Sequence, residues 1–126
     1  MSWNFLTPDM VAAIHDAILN PGELQGRAQD KSLESALARV DNRVAYGMIE
    51  DIFDLAAAYA VAISRGHCFN DGNKRTAFQA MDICLDINGI ALNWNTTEIG
   101  DTIIRLAQGH LHDEDFAEWL RNHPKT

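Results

Sequence analysis

Apolar residues recur along this chain at the three- and four-residue spacing that lines them up on one face of a helix. The strongest register covers residues 48–65, where Ile49, Ile52, Phe53, Ala56, Tyr59, Ala60 and Ile63 share a face and Glu50, Asp51 and Asp54 point elsewhere. Gly66 is the expected stop. A second register runs through Ala77, Phe78, Met81, Ile83, Cys84, Leu85 and Ile87 and ends at Asn88-Gly89, a pair suited to a helix C-terminus. Between the two lies a polar nonapeptide, His67 to Arg75, on the loop that joins two largely buried helices.

Boundary chemistry marks further helices. Thr7-Pro8-Asp9 supplies an N-cap, a proline at the first helical position and an early acid, for a helix ending near Asn20-Pro21-Gly22. Ser32 can cap a helix through Leu33, Ala36, Leu37 and Val40. Asn95 with Glu98 resembles a capping box for a helix through Ile99, Ile103, Ile104 and Leu106, closed by Gly109. A last short helix from about Asp113 carries Phe116, Trp119 and Leu120. The stretch Pro21–Lys31 is an exposed loop, and residues 90–94 form at most a very short extended segment. These signals predict an all-α bundle of about six or seven helices with residues 48–65 and 74–87 at its centre, forming a single domain over residues 1–126.

Composition adds exclusions. The 126 residues fit one domain of ordinary size and apolar content. Ten Lys and Arg stand against eighteen Asp and Glu, a net charge of -8. Nucleic-acid binders draw most of their non-specific affinity from basic contacts to phosphate, so this balance argues against a direct nucleic-acid partner. It leaves room for a local basic pocket that holds one nucleotide. Cys68 and Cys84 are too few for a disulfide framework and lack metal-site spacing. Neither a secretory leader pattern nor a membrane-length apolar run occurs, so a cytoplasmic location with no membrane partner is expected.

The nonapeptide His67-Cys68-Phe69-Asn70-Asp71-Gly72-Asn73-Lys74-Arg75 is dense in chemistry. Gly72 and Asn73 tolerate positive φ, and a loop entering a helix presents free backbone N–H groups to an anion. Lys74 and Arg75 stand at the start of that helix, where cations oppose the helix dipole by a few tenths up to about 1 kcal/mol unless an anion binds. Asp71 adds a hard oxygen ligand of the kind that holds magnesium together with substrate phosphates. His67 is the one residue here able to accept a proton near neutral pH. Phe69 alternates with these polar groups and is expected inside, as the anchor of the loop. No Walker loop, dinucleotide fingerprint or kinase lysine-strand set is present.

These nine residues resemble the signature H-x-F-x-[D/E]-[G/A]-N-[G/K]-R of the Fic/Doc family, most closely its short "death on curing" toxin branch. The Leu33-Glu34-Ser35-Ala36-Leu37-Ala38-Arg39 segment, the Arg65-Gly66 lead-in and the chain size extend the likeness over nearly the full length. The resemblance implies that His67 deprotonates a target hydroxyl, that Asp71 binds Mg2+, and that the Gly72–Asn73 backbone cradles phosphate. It also implies that Asn73, Lys74 and Arg75 contact ATP, and that Phe69 is structural.

Two departures bear on the reaction. AMP-transferring relatives carry glycine after the asparagine and a second arginine three residues past the first; here Lys74 and Phe78 occupy those places. The resemblance therefore implies a protein kinase that presents the γ-phosphate to a Ser/Thr hydroxyl, with AMP transfer as the alternative and a catalytically silent binding module as a third reading. Self-restrained relatives carry an inhibitory [S/T]-x-x-x-E-[G/N] helix, and no glutamate here is followed by Gly or Asn. Inhibition is then expected from an antitoxin resembling the "prevent host death" proteins, with elongation factor Tu as the implied target and Pro21–Lys31 as the segment that docks it.

Plainer roles compete at several positions. His67 can be a loop histidine bonded to a carbonyl, Asp71 a helix cap, and Lys74 and Arg75 solvated charges. Cys68 is expected to be inert for want of an activating neighbour. The cluster His110, His112, Asp113, Glu114 and Asp115 reads as a solvated helix start rather than a metal site. Trp3, Trp94 and Trp119 read as packing, and Arg39 and Arg43 as a solvent-facing pair one helical turn apart.

Overall fold

The structure, a computed structural model, describes residues 2–126. It contains six helices, α1 (Pro8–Ile18), α2 (Leu33–Ala45), α3 (Ile52–Gly66), α4 (Asn73–Ile87), α5 (Thr96–Ala107) and α6 (Asp113–Arg121). The caps read from the sequence are in place: Thr7 accepts from the Met10 amide, Ser32 from Ser35 and Asn95 from Glu98. Each satisfies a backbone donor that the first helical turn leaves without an intrahelical partner.

The central helix starts later than its periodicity suggests. Residues 48–51 are not helical, because Asp51, with φ -144°, is the N-cap and its Oδ1 accepts from the Asp54 amide at 2.9 Å. A short aspartate that bonds the backbone three residues on competes with helix at its own position and favours it immediately after. Met48 consequently stands exposed beside the turn at Gly47, while Ile49 still reaches the core.

Once started, α3 is enclosed on nearly every side: Leu55 through Ala60 are all buried, as are Ala62, Ile63 and Ser64. The reason is its alanine content, which lets α2, α4, α5 and α6 all pack against it. Leu33, Leu37 and Val40 of α2, Met81 and Leu85 of α4, Leu106 of α5 and Phe116 and Leu120 of α6 close round it in one core. Tyr59 is wholly buried, and its hydroxyl accepts from the Leu6 amide at 2.9 Å, so the segment before α1 is tied to the central helix. Burial pushes the Tyr59 phenol up to about 12.

Among the described residues there is no strand, only two single bridges, Arg27 with Phe69 and Leu92 with Lys125. The second is what remains of the extended segment expected at 90–94. The tryptophans pack as expected, Trp94 lying between Phe78 and Trp119 with its Nε1 donating to Asp82 at 3.0 Å. The Arg39–Arg43 expectation needs correcting for one member. Arg39 is exposed, but Arg43 turns inward to Asp113 at 3.0 Å, and Asp113 also holds Arg65 at 3.4 Å. A carboxylate that can bridge α2 and α3 draws Arg43 out of solvent. No helix of the described residues is long and apolar enough to cross a membrane.

Candidate active site

The loop between α3 and α4 begins with a conformational exception. Gly66 remains helical, and the left-handed C-cap falls one residue later, on His67 at φ 49°. A side chain in that region costs roughly 1–2 kcal/mol, so the surrounding structure must impose it. The residue just before His67 is crowded. A Cβ on Gly66 would stand 3.0 Å from Cys68 Sγ and 3.5 Å from the Cβ of Ala36, so the glycine is needed where α2 and the loop close in. The turn sends the His67 imidazole outward, where it stands exposed.

Cys68, beside that imidazole, points into the core, and burial pushes its thiol pKa up. A buried thiol with its pKa raised fits the inert role expected of it. Phe69 is buried, as expected of a loop anchor. Its ring lies flat on that of His15 of α1, centroids 3.9 Å apart and planes 7° apart.

The nonapeptide is also stitched to the segment after α1. Asn70 N donates to Gly26 O at 3.1 Å, Ala28 N to Cys68 O at 2.9 Å, and Asn70 Nδ2 to Gln25 O at 2.9 Å. The 21–31 stretch is therefore exposed on one side only; its other side is a short antiparallel partner of the signature loop.

Asp71 sits at the focus of three bonds. Its Oδ1 accepts from the Gly72 amide at 3.0 Å, its Oδ2 from the Leu24 amide at 3.3 Å, and its carbonyl from His15 Nε2 at 2.8 Å. Gly72 follows at φ 75° as the N-cap of α4. The left-handed φ is what favours glycine at this position.

Helix α4 differs from its neighbours at this end. The first turn of every other helix carries at least one acid, whereas that of α4 carries none and Gly72 offers no side chain to cap it. The first intrahelical bond runs from Thr76 N to Gly72 O at 2.9 Å, so the amides of Asn73, Lys74 and Arg75 have no acceptor within the helix. Three such N–H groups and the positive end of the helix dipole can receive an anion.

The cations are disposed differently. Lys74 is exposed. Arg75 reaches back across the turn, donating to Ile18 O at 3.1 Å and pairing with Glu23. That hydrogen bond holds the Glu23 carboxyl below its ordinary range and Arg75 above its own. The side chain of Asn73 faces the loop interior and brackets Phe69, so toward an anion Asn73 can offer its backbone amide. Beyond Lys74 and Arg75 an apolar cavity of about 290 Å³ opens between α4 and α5, lined by Phe78, Ile99, Gly100 and Ile103.

The residues around Asp71 suit magnesium only in one form. Among the described residues no group of three His, Cys, Asp or Glu side chains could cage a metal. One carboxylate with a lone pair left on each oxygen, beside an anion site, fits an ion that arrives on a polyphosphate and keeps its waters.

Three contributors were not apparent from the sequence. Leu24 and Glu23 act through a loop that carries no periodic signal. His15 did leave a trace, since it lies four residues after Val11 on the apolar face of α1, where an imidazole needs a polar partner.

Comparison with known proteins covers this whole region. Residues 5–85, from the segment before α1 to near the end of α4, match the model of the Fic/DOC family. The chain is 38% identical over 117 residues to "Protein kinase doc" of Escherichia phage P1, spanning 92% of each protein. It is 42% identical over 62 residues to "Toxin Doc" of Mycolicibacterium smegmatis, a stretch that covers 48% of this chain and 47% of that protein.

Proposed function

This chain belongs to the Fic/DOC family, and on that premise we propose that it is a toxin with protein-kinase activity, acting as one domain over residues 1–126. It transfers the γ-phosphoryl group of ATP to a Ser or Thr hydroxyl of a protein. The observation that carries this reading is the start of α4: three amides without helical acceptors, no acid, and Lys74 and Arg75, directly behind an exposed histidine.

In this reading the target hydroxyl gives its proton to His67 as its oxygen bonds the γ-phosphorus, and the bond to the β-phosphate oxygen breaks to release ADP. A base placed so contributes roughly 10²- to 10⁴-fold in rate. The backbone at Gly72–Asn73, whose free amides begin at Asn73, holds the phosphates with Lys74 and Arg75; Asp71 would hold the Mg2+ that accompanies them, which would neutralise charge on the polyphosphate. Phe69 keeps the loop in shape. Phe78 supports γ- over α-phosphate transfer: it packs edge-on against Trp94, centroids 5.6 Å apart, where AMP-transferring relatives have a second arginine.

The cytoplasm is the proposed location, elongation factor Tu the proposed target, and an antitoxin of the "prevent host death" type the proposed restraint. The 21–31 segment is the proposed place where the target's backbone docks. The test is label position: the protein is incubated with a bacterial lysate and ATP labelled at the α- or the γ-phosphate. Transfer of γ label onto a protein is the expected result; α label would replace the kinase with an AMP transferase, and no transfer would leave a silent binding module.

A further inference from the structure

Of the buried titratable side chains to which the proposed chemistry gives no task, His15 is the one whose ring bonds the signature loop. His15 of α1 is 0% exposed, yet it is set against the signature loop rather than in the middle of the core. An imidazole N–H buried without a partner costs roughly 1–3 kcal/mol, so its partner is informative. That partner is the carbonyl oxygen of Asp71, 2.8 Å from Nε2. A carbonyl can only accept, which places a proton on Nε2. Nδ1 lies 3.2 Å from the Asp16 carboxylate, and the flat stack on Phe69 fixes the plane of the ring.

We propose that His15 is a positioning residue for phosphoryl transfer, acting through the Asp71–Gly72 peptide to aim the magnesium carboxylate beside the anion cradle. The inference rests on the reading of Asp71 given above. The described chain has no cis peptide, and a trans peptide points its N–H opposite to its C=O. Holding the Asp71 carbonyl toward α1 therefore directs the Gly72 N–H away from α1. There it meets Asp71 Oδ1 at 3.0 Å, so the carboxylate takes its direction from the same peptide. Leu24 N steadies the second oxygen, but at 3.3 Å and from a loop. The bond from His15 is the shortest of the three and the one that starts from a helix. Partners one step removed from a metal ligand typically alter metal affinity 10- to 100-fold when lost.

Two variants separate the donor from the stack. His15→Phe keeps a ring against Phe69 and removes the N–H; His15→Gln keeps an amide N–H at similar reach and removes the ring. Binding of ATP with Mn2+ in place of magnesium is read by electron paramagnetic resonance, well below each variant's melting temperature. H15F is expected to bind about tenfold or more weakly than wild type, and H15Q to stay close to wild type although it melts lower. Wild-type affinity in H15F, or equal loss in both, would overturn the positioning role, since a purely structural histidine changes melting and not affinity in the folded protein. If H15F does not fold, His15→Met, which also lacks a donor, takes its place with the same expectation. Absence of any Mn2+–ATP binding by wild type would instead refute the nucleotide site itself, and the inference with it.

Discussion

Asn73 holds the backbone of Phe69 at both ends, its Nδ2 donating to the carbonyl at 2.9 Å and its Oδ1 accepting from the amide at 3.1 Å. One side chain thus closes the turn between His67, the proposed base, and the proposed phosphate site at the start of α4. The aromatic ring below is clamped by His15 and the backbone above by Asn73, so the loop is braced from both faces. This is the kind of support that fixes a reacting group without using the group itself.

Asn73→Asp should keep the acceptor, lose the donor, and set a carboxylate against the Phe69 carbonyl at the mouth of an anion site. The expected result is a loss of about 1–3 kcal/mol in stability, from the carbonyl left unpaired, together with ATP affinity lowered by tenfold or more. Thermal melts and nucleotide titration on the same preparation check both. Unchanged affinity would mean that the bracket around Phe69 has no bearing on the cradle.

At His67 the backbone and the imidazole make opposite demands. With φ at 49°, glycine relieves a penalty of roughly 1–2 kcal/mol, more than the roughly 0.5–1 kcal/mol of extra chain entropy it brings. His67→Gly should therefore melt no lower than wild type while phosphoryl transfer falls roughly 10²- to 10⁴-fold. Retained transfer in that variant would remove His67 from the chemistry.

Glu23 presents its carboxylate to Arg75 where phosphate is expected. Glu23→Gln leaves the guanidinium its bond to Ile18 and takes away the competing charge. A few-fold gain in affinity for ATP is expected, measured by isothermal titration at low salt, where exposed pairs act most strongly. Weaker binding would show that Glu23 serves to orient Arg75 and does not compete for it.

Asp51 joins the start of α3 to Arg121 of α6 at 2.8 Å. Burial opposes its charge, but the Arg121 hydrogen bond and the Asp54 amide outweigh that and hold its pKa below the ordinary 3.8. A carboxylate with a lowered pKa stabilises the fold above its unfolded value, and that stability is lost as pH falls through the folded one. Asp51→Asn retains the N-cap and removes the ion pair. Its melting temperature should lie below wild type near neutral pH, with the gap closing below about pH 4. A constant gap across that range would place the effect elsewhere.

Sequence by itself determined the helices and which residue types stand together on the loop. Thr7, Ser32 and Asn95 act on amides three residues away, and the alternation of apolar positions repeats within one or two turns, so both are visible in a linear reading. The nonapeptide was legible for the same reason: its residues are neighbours in the chain. Even there the helix runs one residue past the expected stop: Gly66 stays helical and the left-handed C-cap falls on His67.

Tertiary structure decided what surrounds the loop. His15 lies 56 residues from Asp71, Glu23 52 from Arg75 and Leu24 47 from Asp71. Those partners meet because α1 packs on α4 and the 21–31 segment folds back along residues 68–70, and no periodic signal spans such separations. The inward turn of the Asn73 side chain has the same origin. It follows from where Phe69 is anchored, and His15 is part of that anchor.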